Sequence, residues 1–138
     1  MSVIVPDYLM DRPVLPRAPV DILREAAGKF QDRTRGLVEA TVFTLNPGGS
    51  TLFRHSFYLV VPTLDDYTDA LFYVWHSASL YPVTVLDSGG KQGRDERQYK
   101  TPEQFEQELA RIFDSQETRR RIYALMESAK TARNDFHG

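Results

Sequence analysis

The chain has 138 residues, 41% hydrophobic and 26% charged, a formal net charge of −2 and no cysteine. That size and composition fit one conventionally cored domain and exclude a disordered chain. Lack of cysteine removes disulfides, thiolate nucleophiles and cysteine-based metal sites, and lack of a Lys and Arg excess argues against nucleic acid as a partner.

Residues 1–19 read as a Pro-rich arm. Val3, Ile4 and Val5 suit a short edge strand, and Pro13, Pro16 and Pro19 recur every third residue, the period of polyproline II. Such a segment can fill an aromatic groove on a partner or strap across its own domain. The start of the chain lacks the basic stretch and apolar run of a signal peptide, and no apolar stretch approaches a membrane span. The expectation is a cytoplasmic protein of bacterial style.

Residues 20–130 form the expected domain, and 131–138 a polar, frayed tail. Pro19 suits a first helical turn, and Leu23, Ala26, Ala27 and Phe30 repeat at helical spacing over 19–33. Residues 37–45 and 52–61 read as a hairpin about Asn46-Pro47-Gly48-Gly49-Ser50. In the second strand Phe53, His55, Phe57, Leu59 and Val61 share one face, and Arg54, Ser56 and Tyr58 the other. Residues 63–70 read as a connection with one helical turn capped by Thr63.

Residues 71–77 and 80–87 read as two more strands, rich in aromatic and β-branched side chains. Pro82 cannot donate to a ladder, which places an edge or bulge there. Residues 88–97 read as a polar loop. Thr101-Pro102-Glu103-Gln104 is a capping box that opens a helix with Phe105, Leu109, Ile112 and Phe113 on one face. Asp114 or Ser115 caps a last helix, with Glu117 placed for its box and Thr118, Ile122, Leu125, Met126 and Ala129 as its stripe. The predicted fold is α+β: a four-stranded antiparallel meander with one N-terminal and two C-terminal helices packed on one face.

No motif demands a reaction. Asp65-Asp66-Tyr67-Thr68-Asp69 has a DDxxD pattern without the second acidic motif that diphosphate chemistry needs, so the acids read as turn and cap residues. Asp87-Ser88-Gly89-Gly90-Lys91 fails the P-loop spacing, and no G-x-S-x-G is present. His55 and His76 can meet if their strands pair, but no third ligand is placed beside them. No catalytic residue, metal or cofactor is assigned.

The candidate binding residues are Tyr58, Tyr73, Trp75, His76 and Tyr81, the interaction-type side chains of the strands, with Arg119 and Arg120 on the last helix. The leading expectation is a non-enzymatic protein–protein interaction module, such as an assembly or toxin-neutralising protein, with a homodimer held open. The alternative is a small ligand-binding domain or enzyme with a sheet–helix pocket using His55, His76 and Tyr58.

Overall fold

The computed structural model describes residues 15–87 and 97–137. Helix α1 (Pro19–Arg33) leads into strands β1 (Glu39–Leu45), β2 (Leu52–Val61), β3 (Tyr67–Ser77), β4 (Val83–Asp87) and β5 (Arg97–Tyr99). Helices α2 (Pro102–Asp114) and α3 (Gln116–His137) follow. The strands form one antiparallel sheet in the order β1-β2-β3-β4-β5. The α+β meander is therefore as expected, but with five strands, not four. Residues 97–99 are too few to show an alternation, and they become a strand only because β4 offers them a partner.

Three other boundaries differ from the sequence reading. Pro62–Leu64 is a single 3-10 turn with Val61, not Thr63, at its N-cap position, and β3 begins at Tyr67, so half of the expected 63–70 connection belongs to the sheet. Asp65 and Asp66 hold positive φ there, a conformation that Asp tolerates better than most residues, and Asp69 forms an ion pair with Arg121 at 3.2 Å. Pro82 precedes β4 and so removes no ladder hydrogen bond, and β4 is an interior strand. Helix α3 continues past Lys130 to His137, where a frayed tail was expected. The expected edge strand at Val3–Val5 and most of the polar loop, residues 88–96, lie outside the described residues.

The helix caps follow the sequence closely. The Gln104 amide donates to Thr101 Oγ1 at 3.1 Å, and the Gln104 side chain accepts from the Lys100 amide at 2.9 Å, one residue earlier than a standard box. Ser115, not Asp114, caps α3, accepting from the Thr118 amide at 3.2 Å. That choice puts Thr118 rather than Glu117 at the third helical position. At the end of α1 the buried Thr34 hydroxyl lies 2.8 Å from the Phe30 carbonyl and 2.7 Å from that of Val38, and accepts from the Val38 amide. It ties the helix to the strand that follows.

The core lies between one sheet face and the three helices. Phe57, Leu59 and Val61 of β2, Phe72 and Val74 of β3, and Val83 and Val85 of β4 meet Ile22, Leu23, Phe105, Leu109 and Ile112. Phe57 is its centre, with ring centroids 5.8 Å from Phe30, 5.0 Å from Phe72 and 5.4 Å from Phe113. A bulge opposite Phe57 and Tyr58 leaves Leu71 as an extra residue of β3, so that Leu71 and Phe72 are both buried in succession. Among the described residues, no helix is long and apolar enough to cross a membrane.

Candidate functional site

Strand alternation sends two different sets of polar residues to the two faces of the sheet. On the helix side, His55 and His76 converge, with their Nε2 atoms 2.6 Å apart and the residues 3% and 6% exposed. His76 Nδ1 lies 2.7 Å from the Ser77 carbonyl, and His55 Nδ1 lies 2.8 Å from Thr44 Oγ1. Hydrogen-bond chemistry then assigns the neutral tautomers. The Ser77 carbonyl can only accept, so His76 Nδ1 carries the hydrogen and His76 Nε2 is the acceptor. His55 Nε2–H donates to it, and the Thr44 hydroxyl donates to His55 Nδ1. All four ring nitrogens are engaged within the fold.

Burial, then the neighbouring His76, then Arg24 push the His55 pKa down to about 4. The Phe53 ring lies tilted against His76, with centroids 5.6 Å apart. Convergence of the two imidazoles is thus real, yet it is a packed polar link rather than an open acid–base pair. Among the described residues, no group of three or more His, Asp or Glu side chains is placed to hold a metal ion. Tyr58 stands on the opposite sheet face, so the sheet–helix pocket of His55, His76 and Tyr58 is not assembled. A groove of about 560 Å³ does exist, but it lies among α1, α2 and α3, between Ile22, Phe30, Leu109, Phe113 and Met126.

A second polar cluster joins sheet to helix. Glu108 of α2 is 6% exposed and accepts from the Tyr99 hydroxyl and from Arg111. Burial opposes its charge, but the Arg111 and Tyr99 hydrogen bonds win and hold its carboxyl below the usual range. Burial and that same carboxylate push the Tyr99 phenol up to about 12. Both partners are saturated by each other, which marks a structural link.

The other sheet face is different in character, and no described helix packs on it. The ladders align Leu45, Arg54, Trp75, Thr84 and Gln98 in one row across all five strands. Phe43, Ser56, Tyr73 and Leu86 form the next row, and Thr41, Tyr58 and Ala70 a third. The Arg54 guanidinium carbon lies 5.7 Å from the Tyr73 ring centre and 5.6 Å from that of Trp75. Both are cation–π distances. Phe43 is 54% exposed beside them.

The candidate binding residues are therefore divided. Tyr58, Tyr73 and Trp75 share the open face, while His76 faces the helices. The Tyr81 hydroxyl donates to the Arg17 carbonyl at 2.7 Å in the turn before β4, and its phenol is pushed up to about 12 by burial and then by Glu106. Arg119 of α3 pairs with Asp114 at the end of α2, and Arg120 is exposed on α3. Sequence reasoning missed Arg54 and Phe43 as members of the aromatic group. The alternation already put Arg54 on the face of Tyr58, but only the β2–β3 register brings it onto Tyr73 and Trp75. No protein-family model, curated protein or solved structure matches this chain.

Proposed function

We propose that this chain is a non-catalytic protein-binding domain that engages its partner through the open sheet face around Arg54, Tyr73 and Trp75. The carrying observation is the guanidinium set over two aromatic rings on a face that no described helix covers. Trp, Tyr and Arg are the residues that dominate binding energy at interfaces, and here they lie adjacent on rigid strands. Tyr73 and Trp75 are half-buried and Phe43 is exposed, and the aromatic area they leave in water is stabilised when a partner covers it. The saturated histidine pair supports the same reading, since its nitrogens have no free valence for a substrate. A cytosolic assembly or neutralising role fits such a domain.

The test is affinity capture from the native cells with the wild-type chain, Trp75→Ala and Tyr73→Ala as baits. The expected result is a partner retained by the wild type and lost by both variants while their circular dichroism is unchanged. Capture of the same proteins by all three baits would refute the assignment.

A further inference from the structure

Among the described residues, no carboxylate pairs with Arg54, the cation in the middle of the open face. Arg17, Arg111, Arg119 and Arg121 each hold a carboxylate. Arg54 holds aromatic rings instead, and its Nε is buried with no hydrogen-bond partner. Ser56, two residues along the same strand face, is 0% exposed, and among the described residues its hydroxyl likewise has no partner. Native folds satisfy nearly all their buried polar groups, so two such groups on one small patch stand out. Tyr73 and Trp75, both on the neighbouring strand β3, have ring centres 5.7 and 5.6 Å from the guanidinium carbon, and a planar guanidinium fork is suited to a carboxylate.

Resting on the sheet-face reading, we infer that the partner presents an acidic segment, in which an Asp or Glu carboxylate docks on Arg54 and flanking apolar residues cover Trp75, Tyr73 and Phe43. Charge complementarity selects this occupant. The cross-strand neighbours of Arg54 and Ser56 on the face are Leu45, Trp75, Phe43 and Tyr73, and Glu39 stands farther along β1. One cation among neutral side chains matches one carboxylate in an apolar stretch. A nucleic-acid backbone needs a row of cations, and the chain as a whole carries a net charge of −2.

The experiment pans a displayed library of random linear peptides against the full chain. Affinities of the enriched peptides are then measured by fluorescence anisotropy for wild type, Arg54→Gln, Arg54→Lys and Trp75→Ala. A fluorescent single-stranded oligothymidine and sedimentation of the free chain run in parallel. The expected result is an Asp or Glu beside an aromatic or aliphatic residue in the enriched peptides. Arg54→Gln should weaken them about tenfold or more, Arg54→Lys should recover only part of the loss, and Trp75→Ala should abolish binding.

Peptides that lack an acid, need Trp75 and ignore Arg54→Gln would overturn the acidic partner and leave the sheet-face reading standing. Failure to enrich any peptide that depends on Trp75 would overturn both. Oligothymidine binding lost in Arg54→Gln would replace the acidic segment with nucleic acid, and Trp75-dependent self-association would replace it with a second copy.

Discussion

Acidification should weaken this fold through His55 before most carboxylates titrate. The folded ring is 3% exposed and lies against His76, and its pKa falls from 6.5 to about 4. Between those two values the unfolded chain binds a proton that the folded chain refuses. The His55 contribution is therefore fully present above 6.5 and is lost as pH falls toward 4. The gap is worth about 3 kcal/mol in all, at no more than about 1.4 kcal/mol per pH unit, with about 2 kcal/mol lost between about pH 7 and 5. Urea unfolding followed by circular dichroism across that range measures the slope. The perturbation is His55→Gln, which offers an amide N–H toward His76 Nε2 but cannot titrate. Its stability should depend on pH less steeply than wild type by about one proton. Parallel curves for the two proteins would refute the assignment of that proton to His55.

Three further outcomes follow from the packing. Phe57→Ala should cost about 3–5 kcal/mol, because its ring touches those of Phe30, Phe72 and Phe113, and urea unfolding reads the loss directly. Thr34→Val keeps the shape but leaves the buried Val38 amide without its acceptor, a loss of about 2 kcal/mol in the same assay. Glu108→Gln should flatten the acid limb of the stability curve below about pH 4.5, since a depressed carboxylate contributes stability above its unfolded pKa and loses it as pH falls; an unchanged limb would place the effect elsewhere.

The local signals in this chain were readable because they depend on neighbours in sequence. Thr101 and Gln104 share one helical turn, Asn46–Ser50 holds the glycines a tight reversal needs, and period-two alternation in β2 separated His55 and Phe57 from Arg54 and Tyr58. Class, helix positions and most strand faces follow from such short-range physics. β5 was not readable, because three residues become a strand only through the hydrogen bonds of β4. The division of the candidate site was readable, because Trp75 and His76 are consecutive on β3 and alternation sends them to opposite faces; the contacts of Arg54 were not. A side chain's face is a property of its own strand, whereas its neighbours are set by register, and a bulge at Leu71 shifts that register by one.

Sequence alone therefore determined which face of its strand each side chain takes, but not its exposure: Ser56 on the outer face is 0% exposed and Phe53 on the inner face is 38% exposed. Only tertiary pairing decided that two histidines saturate each other and that Arg54 lies over Tyr73 and Trp75. The physical reason is that cross-strand contact depends on long-range alignment, which no window of the chain encodes.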